Sequence, residues 1–354
     1  MNAPFGLCEE RIVLARLGDP GEDARIERFV FAHGGSPFHL PRWLQAVERG
    51  TGQRAHGVLA ERGGTITGWL PLTEMRSPLF PAALVSSGFA VDGGVLAKTS
   101  LTAQKLARVA QELAERRACS SIELRGGEAP GNWSIREDSH CGFRRTLADD
   151  DETQLLDIPR KSRAEIRKGL TNALRVTTGS GEADRKAHYA CYSESVRNLG
   201  TPVFPRSLFD AVLDAFGDDA DILTVWKGER PLASVLSLYH RGDVMPYWGG
   251  GVRDARNARA NEVMYYELMC HARRKGCVAF DFGRSKTGSG PFGFKKNWGF
   301  EPAPLSYSSW SADGVEARDV DPTSEAYQRK IALWKKLPLA VANAVGPPIA
   351  RGLG

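Results

Sequence analysis

The stretch VAFDFGRSKTGSGPFGFKKNWGF, residues 278–300, decides the fold of this chain. Its first residues alternate around Phe280 and Phe282 and predict a strand over 278–282. Several glycines follow, and Phe294, two lysines and Trp298 come after them. This composition predicts a flexible glycine loop that connects the strand to a short aromatic and basic helix.

Two nucleotide-binding motifs share glycines with this stretch, and neither fits it. Gly288, Gly290 and Gly293 match G-x-G-x-x-G. A dinucleotide fold needs that pattern directly after the first strand of a βαβ unit, and too little chain follows here. The phosphate loop G-x-x-x-x-G-K-[ST] needs a lysine where Phe294 stands, and no serine or threonine follows to hold magnesium. The glycines therefore belong to another kind of site.

Composition places the chain among ordinary globular proteins. Its 354 residues are 42% hydrophobic and 25% charged, which is enough chain for two domains with sizeable cores. The formal net charge of +5 is too small to indicate a nucleic-acid binder by itself, but it suits a phosphate-bearing partner. The 6 cysteines are scattered without C-x-x-C or zinc spacing, so we expect reduced thiols, no metal site and a cytoplasmic location. No signal peptide and no transmembrane segment are predicted.

The order of predicted elements occurs twice along the chain. Each half reads as two helices, a hairpin with further strands, a helix and a strand, and the hairpin turns match at Gly63-Gly64 and Gly228-Glu229. The helices are predicted at 22–33, 41–50 and 100–118 in the first half, and at 183–199, 205–216 and 260–276 in the second. We therefore predict two similar α/β domains, 1–150 and 151–312, followed by a tail with a helix at 313–354. The boundary falls near the acidic ADDDE at 148–152 and Pro159.

The end of the second half carries a family resemblance. After a strand with DFG at 281–283 come F-K-x-x-W-G at 294–299 and a last strand, APLSYSSW, at 303–310. This order resembles the end of a GNAT-type N-acyltransferase domain, and its F-K-x-x-W-G segment resembles the second domain of the FemABX peptidyltransferases. With SPFHLPRWLQAVE at 36–48, KSRAEIRKGL at 161–170 and the ending GPPIARGLG, the chain is most similar to FemAB-related proteins associated with exosortase and PEP-CTERM systems. The resemblance implies two tandem GNAT-like domains, each a mixed, mostly antiparallel sheet with flanking helices.

The same segment supplies the candidate catalytic residues. Acyl transfer to an amine needs a bound acyl donor, a group that stabilises the oxyanion and a group that takes a proton from the amine. The resemblance implies that Lys295, with Phe294 beside it, stabilises charge at the aminoacyl ester of tRNA. A solvated surface lysine is the alternative, and Lys296 is the other lysine that could face inward. Asp281 alternates with two phenylalanines along its strand and is the candidate general base or a hydrogen-bonding partner.

Other residues are candidates for substrate binding. Arg284 and Lys286 flank the glycine loop and are expected to hold phosphates. Tyr247 and Trp248 end a strand at the position where GNAT folds splay open for the acyl group, and a role as core aromatics is the alternative.

A basic helix opens the second half. Within IPRKSRAEIRKGLTNALR, residues 158–175, Arg160, Arg163 and Arg167 share one helical face, which predicts contact with RNA or a diphosphate, or a solvated surface. Coenzyme A-binding GNAT domains present R-x-x-G-x-G/A before a helix, where backbone amides bind the pyrophosphate. The corresponding RNARANEVMYYEL, from Arg256 onward, lacks both glycines, which weakens the case for coenzyme A.

Three functions are compatible with these features. The first is a FemAB-like transferase that moves an aminoacyl group from aminoacyl-tRNA onto an amine of a peptidoglycan, exopolysaccharide or other cell-envelope precursor, with a sugar-nucleotide or lipid-linked saccharide as acceptor. The second is an acyl-CoA-dependent GNAT N-acyltransferase acting on an amino sugar or small amine. The third is a non-catalytic GNAT-like module in exopolysaccharide or protein-sorting assembly. No tightly bound cofactor is expected, and the apolar, basic tail predicts a helix packed on the body or a contact with the surface of the inner membrane.

Overall fold

The computed structural model describes residues 9–128, 130–312 and 325–353, and the chain divides into two compact units. The first unit consists of Met1–Glu137, Ser306–Asp319 and Gly352–Gly354. The second consists of Asp138–Leu305 and Val320–Arg351. Each unit is built on its own β-sheet.

Strands and helices are numbered here in chain order. The strands are β1 (Arg11–Leu14), β2 (Arg54–Arg62), β3 (Thr65–Met75), β4 (Ala83–Ser86), β5 (Leu96–Ala97), β6 (Ser121–Arg125), β7 (Ser134–Arg136), β8 (His140–Thr146), β9 (Arg175–Gly179), β10 (Ala220–Lys227), β11 (Arg230–His240), β12 (Asp243–Gly251), β13 (Ala279–Lys286), β14 (Ala303–Pro304) and β15 (Tyr307–Ser311). The helices are α1 (Pro20–Ala32), α2 (Pro41–Thr51), α3 (Ser100–Arg116), α4 (Asp151–Asp157), α5 (Arg160–Leu170), α6 (Glu182–Leu199), α7 (Arg206–Phe216), α8 (Ala255–Ala258), α9 (Ala260–Arg274), α10 (Gly290–Asn297), α11 (Glu325–Trp334) and α12 (Leu339–Ala350).

The first sheet has the order β1-β2-β3-β4-β6-β15-β7, and β5 pairs with β3. Its described pairs are antiparallel except β4 with β6. The β2–β3 hairpin turns through Gly63 (φ 57°) and Gly64 (φ 79°), a left-handed pair that favours glycine. Helix α3 starts with Thr99 as its cap and buries Leu106 and Ala110 in the core of this unit.

The second sheet has the order β14-β8-β13-β12-β11-β10-β9. Its described pairs are antiparallel except β12 with β13, which α9 connects. Met264 and Leu268 of α9 are fully buried and join Val235 and Val244 of the sheet in one core cluster. The predicted fold class, two mixed and mostly antiparallel sheets with flanking helices, is confirmed.

The strands at the ends of the two units differ from the predicted arrangement. The predicted last strand over 303–310 is divided, because β14 pairs with β8 in the second sheet whereas β15 pairs with β6 and β7 in the first. Strand β8, which the predicted first domain of 1–150 includes, lies in the second sheet beside β13. Relative to the predicted domains 1–150 and 151–312, β8 therefore belongs to the second unit and β15 to the first. The sequence of a short strand does not show which sheet it joins, because its partner is determined by pairing with a distant segment.

The tail predicted at 313–354 lies partly outside the described residues. Helix α12 packs on α6, and the Asn343 side chain donates a hydrogen bond to the Ser193 hydroxyl (3.3 Å). Gly346 touches Val203, since a Cβ there would lie 3.1 Å from the Val203 amide. The described part of the tail is thus a pair of helices, of which α12 packs on α6 within the second unit.

Candidate active site

Strands β12 and β13 diverge and leave a split in the second sheet. They pair in parallel only where Asp243 and Val244 lie beside Ala279 and Phe280. Beyond that point β12 stays with β11 and β13 stays with β8, so the carboxyl ends of the two strands separate. Ligand sites of α/β folds form at such openings, beyond the carboxyl ends of parallel strands.

Both strands that border the split contain a β-bulge. In β12 the register with β11 shifts so that Tyr247 has no opposite residue. In β13 Phe282 and Gly283 lie opposite the single residue Phe143 of β8. Bulges often redirect side chains next to active sites, and we take the split with its two bulges as the candidate active site.

The corresponding opening of the first sheet is closed by the chain itself. There β4 and β6 are the parallel pair, and beyond them Val95 forms a parallel bridge with Gly127. A Cβ added to Gly94 would lie 1.8 Å from the carbonyl oxygen of Gly126, so the two backbones are in direct contact. This contact requires glycine at position 94 and leaves no room for a ligand between the strand ends. The candidate site therefore belongs to the second unit.

Lys295 of α10 is buried against the bulge of β13. Its ammonium donates hydrogen bonds to the carbonyl oxygens of Phe282 (2.6 Å), Gly283 (3.2 Å) and Arg284 (2.9 Å), and the residue is only 8% exposed. Burial lowers the pKa of Lys295 to about 8. An ammonium group has three donors, and all three are used within the fold. Lys295 is thus the lysine that faces inward, and Lys296 is exposed.

Asp281 stabilises the same bulge of β13 through its carboxylate. Its Oδ1 accepts a hydrogen bond from the Gly283 amide (2.8 Å). Burial raises the pKa of Asp281 and the carboxylate of Asp243 raises it further, whereas the Gly283 amide, Lys295 and Arg144 lower it. The Lys295 ammonium therefore binds carbonyl oxygens of the bulge, and the Asp281 carboxylate binds an amide of the same bulge.

An aromatic cluster connects α9, α10 and β13. The ring centroid of Tyr265 on α9 lies 4.8 Å from that of Phe282, 5.8 Å from Phe294 and 6.1 Å from Trp298. Trp298 is a core residue with 1% exposure, and Phe294 is partly exposed. The hydroxyl of Tyr265 lies towards β12, where a Cβ added to Gly249 would be 3.3 Å from it. The sequence does not single out Tyr265, because its spacing within α9 is that of any residue on a packed helix face.

Tyr247 and Trp248 have different environments. Trp248 is 4% exposed and packs edge-to-face on Phe209 with centroids 4.8 Å apart, so it is a core residue. Tyr247, the bulge residue of β12, is partly exposed and contacts the Trp248 ring at 4.7 Å. Of the two candidates, Tyr247 is the one with an accessible side chain beside the split.

The glycine segment is a tight turn and a helix, and the prediction of a flexible loop is wrong. Strand β13 continues to Lys286, only residues 287–289 follow, and Gly290 already begins α10. The Ser289 hydroxyl accepts a hydrogen bond from the amide three residues later (3.4 Å), and Pro291 lies in the first turn. A serine cap followed by an early proline is a helix-start signal, which the neighbouring glycines obscured.

Arg284 and Lys286 lie on the outer part of β13. Arg284 is partly exposed, and Lys286 is exposed at the end of the strand. The turn that follows is attached to the chain before β8, because the amide and hydroxyl of Thr287 donate to the carbonyl oxygens of Ser139 and Asp138 (3.0 Å each). The two bases therefore flank a fixed turn.

Helix α5 presents bases beside α10. Arg160 and Arg167 are exposed, whereas the partly buried Arg163 donates a hydrogen bond to a backbone carbonyl of α4 (2.8 Å). The face of three arginines predicted from spacing is thus reduced to two. The Ser162 hydroxyl donates to the Asn297 carbonyl at the end of α10 (2.7 Å), which places α5 next to the candidate site.

The start of α9 is covered by α5. Arg259 precedes α9 in the left-handed conformation (φ 57°), and its guanidinium forms an ion pair with Glu165 of α5 and a hydrogen bond to the Arg256 carbonyl (2.6 Å). Gly169 of α5 packs on the same turn, since a Cβ there would lie 2.5 Å from the Val263 side chain. The turn that carries glycines in coenzyme A-binding domains therefore carries an ion-paired arginine in this chain.

The described part of the chain contains neither a metal-binding cluster nor a membrane-spanning helix. No group of three or more His, Cys, Asp or Glu residues is arranged there to hold a metal ion. None of the helices within the same residues combines the length and apolar character that crossing a bilayer requires. The described cysteines are buried free thiols: Cys119, Cys141, Cys191, Cys270 and Cys277.

Residues 159–296 match the family model of the acetyltransferase (GNAT) domain. This part of the second unit is therefore similar to a GNAT-type acetyltransferase domain. The match extends from the residue before α5 into α10, so it includes the split, both of its bulges and Lys295.

Solved structures extend the similarity to both units. A crystal structure of FemX has a TM-score of 0.65 at 16% identity and covers 85% of this chain and 96% of its own. A tandem GNAT protein from the clavulanic acid biosynthesis pathway has a TM-score of 0.56 at 12% identity, covering 87% and 100%. L-PGS from Bacillus licheniformis has a TM-score of 0.55 at 11% identity, covering 94% and 98%. At these identities the similarity concerns the fold, and no curated protein matches the chain significantly.

Proposed function

We propose that the protein is an aminoacyltransferase of the FemABX type. It moves an aminoacyl group from aminoacyl-tRNA to an amine of a cell-envelope or exopolysaccharide precursor and forms an amide. The observation that carries this proposal is the covered start of α9, where Arg259 replaces the glycine turn that binds the pyrophosphate of coenzyme A.

The covered helix start favours a donor other than coenzyme A. A pyrophosphate binds at a helix N-terminus through backbone amides that it can approach closely. Here the Arg259 side chain and helix α5 occupy that approach, and the ion pair with Glu165 holds them together. Binding of coenzyme A in the usual manner would require the end of α5, from Gly169 onward, to move away from α9. This movement would break the packing of Gly169 on Val263.

The bases of α5 favour an RNA carrier. Arg160, Lys161, Arg167 and Lys168 are exposed, and the hydrogen bond between α5 and the end of α10 brings them near the exposed Lys296. Each lysine or arginine that meets a phosphate releases condensed counterions, so such a surface binds a polyanion with a strong salt dependence. A tRNA lying on α5 would direct its aminoacyl end towards the split.

The chemistry at the split follows from the groups that border it. The amine nitrogen bonds to the ester carbonyl carbon, and the bond from that carbon to the ribose oxygen breaks. The ribose oxygen takes up a proton, and the amine releases one. Asp281 is our candidate base, since its raised pKa brings it closer to that of an amine, and its Oδ2 makes no hydrogen bond within the described residues. Lys295 positions this group by holding the bulge that follows it.

The acceptor and the location follow from the resemblance and the tail. A peptidoglycan or exopolysaccharide precursor, carried on a sugar nucleotide or a lipid, offers the amine. The tail exposes Leu333, Val341 and Val345 near the exposed Lys335 and Lys336. Apolar and basic residues together favour a contact with an anionic membrane surface, so we propose a cytoplasmic protein that meets the inner membrane through its tail.

An acyl-CoA-dependent N-acyltransferase is the second candidate function. The observation that favours it is the match of residues 159–296 to an acetyltransferase model. The phosphates of acyl-CoA would then bind away from α9, for example at Arg284 and Lys286. A non-catalytic module is the third, and the engagement of every Lys295 donor within the fold favours it.

Binding of aminoacyl-tRNA, uncharged tRNA and acetyl-CoA tests these alternatives. The informative variant combines Arg160→Glu and Arg167→Glu on α5. Its control combines Arg108→Glu and Arg116→Glu on α3, whose side chains are 82% and 77% exposed.

We expect aminoacyl-tRNA to bind more tightly than uncharged tRNA. The α5 variant should weaken that binding about tenfold or more and lower its salt slope by about 2, whereas the α3 variant should change it less than about twofold. Saturable acetyl-CoA binding without a preference for tRNA would instead support the N-acyltransferase. Binding of neither donor would leave the non-catalytic module.

A further inference from the structure

The phenol of Tyr265 bridges the split from the α9 face. Its ring packs on Phe282 of β13, with centroids 4.8 Å apart, and its hydroxyl lies beside Gly249 of β12. These two partners lie past the last parallel pair, Val244 with Phe280. The side chain therefore occupies the place where the two strands have separated.

The hydroxyl of Tyr265 is a hydrogen-bond donor without a partner inside the described part of the chain. A phenol can donate one hydrogen bond and accept others. Burial raises the pKa of Tyr265 to about 12, so the group stays protonated at neutral pH. Lys295 is the opposite case, because its three donors already bind carbonyl oxygens of β13.

We propose that Tyr265, rather than Lys295, is the catalytic residue that donates a hydrogen bond to the oxyanion formed during transfer. This assignment rests on the acyl transfer proposed above. When the amine nitrogen bonds to the ester carbonyl carbon, the electron pair of the C=O bond moves to its oxygen, and the Tyr265 hydroxyl stabilises that charge. The pair returns as the bond to the ribose oxygen breaks, the ribose oxygen takes up the proton lost by the amine, and Tyr265 keeps its own proton.

Gly249 gives the hydroxyl its room. A Cβ at this position would lie 3.3 Å from the Tyr265 oxygen and 3.0 Å from a Val235 methyl carbon. With hydrogen in its place, a carbonyl oxygen can reach the phenol from the β12 side. Strand residue 250 has its Cβ direction towards Ser195 of α6, so the small residue at 249 is the one that faces Tyr265.

Tyr265→Phe tests the role, because it removes the hydroxyl and keeps the ring in the aromatic cluster. Its control is Tyr266→Phe on the same helix, where the hydroxyl donates to the Asp151 carbonyl (3.0 Å) and plays no part in the split. Labelled aminoacyl-tRNAs and acetyl-CoA serve as donors and glycinamide as the amine, with single-turnover rates, donor Kd and thermal unfolding measured for each protein.

We expect Tyr265→Phe to lower the transfer rate about 100- to 1,000-fold, with the donor Kd within about twofold of wild type and unfolding unchanged. Tyr266→Phe should transfer at the wild-type rate. Wild-type transfer by Tyr265→Phe, or a loss confined to donor binding, would overturn the catalytic role and leave the proposed function intact. Absence of transfer by the wild type with every donor would overturn the proposed function and this role with it.

Discussion

Replacing Lys295 by methionine measures how strongly this lysine holds the β13 bulge. Methionine keeps the length of the side chain and removes its three hydrogen bonds to Phe282, Gly283 and Arg284. A buried carbonyl left without a donor costs about 1–3 kcal/mol, and this applies to the Phe282 oxygen. The other two carbonyls are partly accessible, so water replaces the lysine there and each loss is about 0.5–1.5 kcal/mol.

Removing the ammonium also relieves the cost of burying its charge, which the pKa of about 8 reflects. This gain offsets part of the loss. The three losses sum to about 2–6 kcal/mol and the gain is about 3 kcal/mol, so we expect Lys295→Met to lower the free energy of unfolding by about 1–3 kcal/mol.

Urea unfolding followed by circular dichroism gives this free energy. Lys296→Met is the matched control, since that lysine is exposed one residue away on the same helix, and it should change stability by less than about 0.5 kcal/mol. A Lys295→Met protein as stable as wild type would refute the reasoning. The ammonium would then be available to the substrate, as the FemABX resemblance implies.

Three other measurements test the electrostatics of the fold and the start of α9. Burial alone would raise the pKa of Glu74, but hydrogen bonds from basic neighbours hold this pKa at about 2. The carboxylate therefore contributes about 3 kcal/mol to stability above pH 4.5, and this contribution is lost as the pH falls towards 2. Glu74→Gln should make the free energy of unfolding nearly independent of pH over that range. Burial lowers the pKa of His188 to about 3, so stability should fall by about 1.4 kcal/mol per pH unit below 6.5, and a slope retained by His188→Phe would contradict this. Arg259→Gly removes the ion pair with Glu165 and suits the left-handed φ at this position. Calorimetry should therefore show acetyl-CoA binding about tenfold tighter than to wild type. Unchanged binding would argue that the covered start of α9 is not what disfavours coenzyme A.

The choice between Lys295 and Lys296 shows where sequence reasoning stops. Adjacent residues on a helix point about 100° apart, so at most one of the two points straight at the sheet, and the pattern does not say which. The β13 bulge decides it, because its outward-turned carbonyls need a donor at the height of Lys295. The bulge itself depends on pairing with β8, a strand more than a hundred residues earlier in the chain.

Sequence alone determined the parts of the fold that depend on neighbours in the chain. Caps such as Thr99, the glycine pair at 63–64 and the apolar spacing of α3 and α9 are local signals, and the repeated order of elements follows from them. The resemblance around F-K-x-x-W-G then indicated the GNAT arrangement.

Tertiary structure alone decided which residues share the site. It divided 303–310 between two sheets, separated β12 from β13, turned Arg163 back onto α4 and brought Tyr265 into the split. These outcomes depend on strand partners and helix packing between residues far apart in the chain. No window of sequence contains those contacts, because their free energy exists only once the distant segments have met.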